Sequence, residues 1–176
     1  MPSLPDAESA YATLLAQLRD ANLGHYRLVG IHSGGVWIAE RLQRDLAWPG
    51  PIGEIDISFY RDDYDEIGLH AEVKPTSIGF EVAGASILLV DDVLYTGRTI
   101  RGAMNVLFDY GRPARIELAA LVDRQGRQLP IEARFAGARL TLPPEQGLVL
   151  TRAPGEGAGE PFAFTVEPSR RTHPSS

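Results

Sequence analysis

Between residues 6 and 20 the apolar side chains fall at helical spacing. Tyr11, Leu14, Leu15 and Leu18 follow i, i+3, i+4, i+7, which predicts a helix with one core-facing stripe, ended by Asn22 and Gly24. Arg27–Ile31 is a short strand, and Val36, Ala39, Leu42 and Leu46 predict a second helix after it. From Glu54 to Tyr60 the pattern changes to alternation, with Ile55, Ile57 and Phe59 on one face and Asp56 and Ser58 on the other. Residues 64–80 are polar and weakly patterned, a long loop or hairpin. Helical spacing returns over 99–110 (Ile100, Ala103, Met104, Leu107), stopped by Gly111 and Pro113. A buried strand over 115–123 follows. Shorter strands are expected at Ile131–Phe135, Gly147–Thr151 and Phe162–Val166. The order, β-α-β and then β-loop-β-α-β, predicts an α/β fold with a mainly parallel twisted sheet flanked by helices.

The stretch with chemistry in it is Ile87–Thr99. Ile87 to Val90 carry nothing polar, as in a strand covered on both faces. The strand is expected to turn at Asp91 and Asp92, pass through Val93, Leu94 and Tyr95, and reach a helix start through Thr96, Gly97, Arg98 and Thr99. Ligands of open α/β sheets bind at the carboxyl ends of strands. Two ionised carboxylates only accept hydrogen bonds, so a sugar diol suits them. The amides of a helix start and the two threonine hydroxyls suit a phosphate, and Gly97 lets the backbone approach it. An ordinary strand–turn–helix would use the same acids as turn residues and Thr99 near the cap. The combination of all thirteen residues favours a phosphorylated sugar. Ser33, Gly34 and Gly35 form a second strand–glycine–helix turn that either holds an anion or uses glycine only for its geometry.

The string Val-Asp-Asp-Val-Leu-Tyr-Thr-Gly-Arg-Thr resembles the phosphoribosyl diphosphate (PRPP) signature of type I phosphoribosyltransferases. In full it is similar to one branch, the bifunctional pyrimidine operon attenuator / uracil phosphoribosyltransferase family. Tyr60-Arg61-Asp62-Asp63 and the Asp123-Arg124…Leu129-Pro130-Ile131 segment look like the same branch. The resemblance covers roughly residues 5–167. It implies a type I phosphoribosyltransferase fold with a small β hood and a single domain over residues 1–167, with a disordered tail over 168–176. It implies that Ser33, Gly34, Gly35 and Arg61 lie at the diphosphate, and that Val93, Leu94, Tyr95 and Arg98 belong to the PRPP loop with Asp91, Asp92, Thr96, Gly97 and Thr99. Val122, Asp123, Arg124 and Leu148 would lie near uracil. Relatives often carry a basic residue where Ser33 stands, and Gly-His-Arg where this chain has Gln125-Gly126-Arg127. Residues 64–80 would be a flexible cover over the reacting centre, with His70 and Lys74 supplying charge.

The implied reaction converts uracil and PRPP to UMP and diphosphate, with Mg²⁺ carried mainly by PRPP and no all-protein metal cage in the sequence. A UMP-responsive, mRNA-binding regulator of pyrimidine operons and a phosphoribosyltransferase for another nucleobase stand as alternatives. The formal net charge is −6, against non-specific nucleic-acid binding, though a local basic face built from Arg112, Arg115, Arg127 and Arg134 is compatible with it. Sixteen of the 17 basic residues are arginine. The chain has no cysteine, which excludes disulfides and thiolate metal sites. Neither a signal segment nor an apolar run of membrane-spanning length is visible, so a soluble cytoplasmic protein is expected, with no membrane partner. Family members form dimers or larger assemblies, so a homo-oligomer is implied.

Overall fold

The computed structural model describes residues 3–57, 76–154 and 159–169. Arg61, His70, Lys74, Phe59 and most of the expected cover loop lie outside these residues.

Helix α1 spans Ala7–Ala21, started by Asp6, whose carboxylate accepts from the Ser9 N–H at 2.8 Å, and ended by Asn22 in the left-handed region at φ 53°. Strand β1 (Arg27–Ile31) leads to α2 (Gly34–Leu46), then β2 (Gly53–Ile55). Next come β3 (Ser86–Leu94), α3 (Arg98–Tyr110) and β4 (Arg115–Asp123). Strands β5 (Phe135–Arg139), β6 (Gln146–Arg152) and β7 (Phe162–Pro168) complete the chain. The main sheet has the order β2-β1-β3-β4-β5 with every pairing parallel. The antiparallel β6–β7 hairpin is the small β hood.

Four expectations need correction. The strand expected from Glu54 ends at Ile55, and Asp56 and Ile57 follow as coil. Strand β3 does not turn at the acids. It runs through Asp91 and Asp92 to Leu94, because Asp91, Val93 and Leu94 continue the parallel register onto Ala120, Val122 and Asp123. The strand expected at Ile131–Phe135 starts at Phe135, which pairs with Ala119, while Ile131 and Ala133 pack against the core as coil. The C-terminal strand extends past Val166 to Pro168, and the Ser169 N–H donates to the Glu145 carbonyl at 2.7 Å.

Period-two alternation divides β3 between two cores. Leu88 and Val90 face α1 and α2 with Leu14, Ile38 and Leu42, while Ile87 and Leu89 face α3 with Ile100, Ala103 and Leu107. All of these side chains are buried. Glycine sets the closeness of the layers at two points. A Cβ on Gly30 would stand 2.7 Å from the Val36 Cα, and one on Gly35 would overlap the Val90 carbonyl oxygen. The first turn of α2 therefore lies directly on β1 and β3.

A cation on α2 ties the hood to the helices. Arg41 donates two hydrogen bonds to Glu8, both at 2.7 Å, lies 4.1 Å over the Tyr11 ring and 5.0 Å over Phe162, and Glu8 accepts the Phe162 N–H at 2.6 Å. The Arg41 hydrogen bonds hold the Glu8 carboxyl below its ordinary value of 4.5, against partial burial. A carboxyl lowered by folding contributes stability that is present above its unfolded pKa and lost as pH falls through its folded value. Thermal melting should show the midpoint dropping as pH is taken below 4.5. Glu8→Gln should start lower at neutral pH and show a shallower acid slope.

Candidate active site at the carboxyl end of β3

Strand alternation sends Asp91 toward α3 and Asp92 toward α2. Asp91 is 5 % exposed and lines a small pocket of about 40 Å³ together with Val93, Leu94, Tyr95, Thr96, Gly97, Thr99 and Ile100. Asp92 lies against Gly34 at the first turn of α2, where a Cβ would overlap its carboxylate. Each acid is held by its neighbour's backbone: Asp91 Oδ1 accepts from the Asp92 N–H at 2.9 Å, and Asp92 Oδ1 from the Val93 N–H at 2.8 Å. The two sequence motifs 58 residues apart, Gly34 and Asp92, thus meet at one place.

The loop from Tyr95 to Gly97 is shaped from behind. Gly97 has φ 93°, which glycine adopts without strain, and it caps α3, its carbonyl accepting from Arg101 at 3.0 Å. The Thr96 carbonyl accepts from the N–H groups of Gln128 (2.9 Å) and Leu129 (3.2 Å), and the Tyr95 carbonyl from Arg127 Nη1 at 2.8 Å. In a trans peptide the carbonyl and the following N–H point in opposite directions. The Thr96 and Gly97 N–H groups therefore point away from the 127–131 segment, none of which lines the small pocket. Among the described residues neither N–H meets a protein acceptor. Two such N–H groups beside the N-terminus of a 13-residue helix have the polarity that an anion would require. The Thr96 hydroxyl accepts from the Arg98 N–H at 3.2 Å, and Arg98 Nε donates to Gln128 at 2.9 Å.

Ser33 precedes α2 and its side chain makes no capping hydrogen bond; the His32–Ser33 peptide is cis. His32 Nε2 stands 3.4 Å from Glu54 across β1 and β2, a contact the sequence did not disclose. On the other side of the pocket, Val122 and Leu148 meet in a cluster with Leu140 and Leu142, against Val93. Asp123 and Arg124 are buried at 3 % and 4 % exposure. Arg124 lies 3.7 Å over the Tyr95 ring and donates to the hood carbonyls of Gln146 (2.8 Å) and Pro143 (3.2 Å). Arg127 is not part of an open basic face: its guanidinium is taken by Asp123, Tyr95 and Ile131. Spacing at i, i+4 relates Asp123 to Arg127 but cannot foretell that bond in a loop.

A Mg²⁺ ion suits this arrangement. The Asp92 carboxylate sits at the start of α2; a diphosphate placed at that turn would be repelled by it, and a divalent cation would offset the repulsion. Among the described residues no three His, Asp or Glu side chains form a cage of their own.

Comparisons with known proteins bear on the family and the fold. The phosphoribosyl transferase domain family matches residues 3–138. The bifunctional protein PyrR of Ralstonia nicotianae is 53 % identical over 167 residues, covering 93 % of this chain and 95 % of its own. The bifunctional protein PyrR of Pseudomonas aeruginosa is 50 % identical over 129 residues, covering 73 % and 76 %. Among solved structures, a hypoxanthine phosphoribosyltransferase from Staphylococcus aureus superposes with TM-score 0.59 at 23 % identity over 77 % of this chain and 75 % of its own. That of Trypanosoma cruzi gives TM-score 0.56 at 18 % identity over 78 % and 81 %. The structural likeness is one of fold.

Gly34→Ala should push a methyl group into the Asp92 carboxylate. PRPP affinity should fall roughly 10- to 100-fold, as for other small misplacements of a binding group, with the melting temperature little changed; titration calorimetry and a thermal melt together check this. By its family match and its two relatives, the chain belongs to the phosphoribosyl transferase domain family and, within it, to the PyrR proteins.

Proposed function

We propose that this chain transfers the 5-phosphoribosyl group of PRPP to uracil, giving UMP and diphosphate. The observation that carries the reading is the joint placement of the Asp91 carboxylate and the outward-turned Thr96 and Gly97 N–H groups around one pocket. The 5′-phosphate is received by those N–H groups and by the hydroxyls of Thr96 and Thr99, within the loop Val93–Thr99 that includes Leu94, Tyr95 and Arg98. Asp91 and Asp92 accept from the ribose hydroxyls, one from each face of the sheet. The diphosphate lies toward Ser33, Gly34 and Gly35 at the start of α2, with Arg61 as its cation.

As uracil N1 bonds to C1′, the C1′–oxygen bond breaks and its electron pair leaves with diphosphate, while the N1 proton is released. Positive charge develops on the ribose ring during this step, and the two fixed carboxylates stabilise it. Bound Mg²⁺ supplies charge neutralisation for the departing diphosphate. Val122, Asp123, Arg124 and Leu148 form the base side. Val122 and Leu148 supply an apolar wall there. Arg124 acts through Tyr95 and the hood, which its guanidinium joins.

The PyrR relatives are named bifunctional, which supports a second activity beside transfer; we take it to be UMP-responsive binding of pyrimidine-operon mRNA, by a cytoplasmic homodimer or larger assembly, as the sequence resemblance implies. Arg112, Arg115 and Arg134 are exposed, but Arg115 and Arg134 share Glu117, so the positive charge available for RNA is small and catalysis is the stronger reading.

Purified protein with PRPP and saturating Mg²⁺ should form UMP from uracil in preference to products from orotate, hypoxanthine or adenine. Asp91→Asn or Asp92→Asn should lower kcat/KM on the order of 100-fold, the usual cost of removing one charge-stabilising group. Product with another base and not with uracil would reassign the base; no product with any of the four would remove the enzyme reading.

A further inference from the structure

We infer that Arg127 is a positioning residue that couples the base side of the site to the phosphate loop. Its side chain does not line the small pocket, although it holds Tyr95, which does. Its guanidinium instead joins three separate acceptors: Nη2 donates to Asp123 Oδ2 at 2.6 Å, Nη1 to the Tyr95 carbonyl at 2.8 Å, and Nε to the Ile131 carbonyl at 2.7 Å. Arginine presents its N–H donors in a rigid plane, so fixing any two of these acceptors fixes the third. One of them is the carboxylate at the end of β4; the others are the carbonyl of Tyr95 in the phosphate loop and that of Ile131 in the segment packed behind it.

The local chain is built to bring this side chain back. Gln125 (φ 56°) and Gly126 (φ 105°) reverse the backbone just after β4, and a Cβ on Gly126 would stand 2.6 Å from the Tyr95 ring. Asp123 is itself oriented by the Gln125 N–H, which donates to its Oδ1 at 2.9 Å. Tyr95 is thus gripped twice, on its ring by Arg124 and on its carbonyl by Arg127. The Tyr95 carbonyl is one end of the peptide whose other end is the Thr96 N–H. Whatever sets the direction of the first sets the direction of the second. A ligand that pulls on Asp123 therefore moves the Thr96 N–H through one guanidinium, and a phosphate that pulls on the Thr96 N–H presses back on Asp123 by the same route. The coupling is reciprocal in binding free energy.

This rests on the proposed phosphoribosyl site, and ribose 5-phosphate separates the two claims because it has a phosphate and no base. Titration calorimetry would compare the wild-type chain, Arg127→Gln, Arg127→Lys, Asp123→Asn and the double variant. Wild-type protein should bind ribose 5-phosphate. Arg127→Gln should weaken it about 10-fold or more, as expected for losing charge-assisted hydrogen bonds. Arg127→Lys, which keeps the charge and not the fork, should recover part of the loss and provides the measurement if the glutamine variant does not fold. Asp123→Asn should also weaken it, although no part of this ligand reaches the base side, and the double variant should be no worse than the worse single. A wild-type-like affinity in either Arg127 variant, or in Asp123→Asn, would overturn the coupling while leaving the phosphoribosyl site in place. Failure of the wild-type protein to bind ribose 5-phosphate would overturn both.

Discussion

Strand β3 lies between β1 and β4 with both faces covered, and the whole site is measured from its carboxyl end. A strand hydrogen-bonded on both edges and packed on both faces has almost no freedom to shift, so the acids it carries are fixed in position and direction. Glycine brings the rest of the site up to it: Gly30 and Gly35 let α2 settle directly on β1 and β3, and Gly34 brings the first turn of that helix against Asp92. Two sequence motifs become one site because, at these points, side chains would keep them apart.

The phosphate loop depends on a second layer. Carbonyls of Tyr95 and Thr96 are held by Arg127, Gln128 and Leu129, and the opposite ends of the same peptides are what an anion would meet in the proposed site. This is preorganisation in a simple form: the donors are aimed before the ligand arrives, so binding does not have to order them. The hood is integrated in the same way, through Arg124 at the site and through Arg41 and Glu8 at the helices.

Much of this was legible in the sequence because the signal was periodic. Arg27–Ile31 and Arg115–Asp123 have the bounds their patterns indicate, and the helices begin or end within a residue or two of their stripes. An acid pair resembles a turn, so the local pattern ends strand β3 too early; the pairing of Asp91 with Ala120, invisible locally, keeps it in the sheet. The β5 strand was misplaced because Ile131 and Ala133 are core-facing coil, whereas the true strand contains Gly137, needed where α1 crosses at the Ala10 carbonyl. From the sequence alone, Arg127 is compatible with an outward basic face. Its role depends on a loop reversal at Gln125 and Gly126 that brings it to Tyr95, 32 residues earlier in the chain, and no local pattern encodes that.

The central claim is that an anion is received where β3 gives way to α3. A crystal structure of the complex with UMP tests it most directly. The account predicts phosphate oxygens about 3 Å from the Thr96 and Gly97 nitrogens, with a carboxylate of Asp91 or Asp92 on the ribose hydroxyls. A phosphate bound elsewhere, for instance in the groove between the C-terminal ends of α1 and α2 beside Trp48, with the Thr96–Gly97 turn empty, would contradict it.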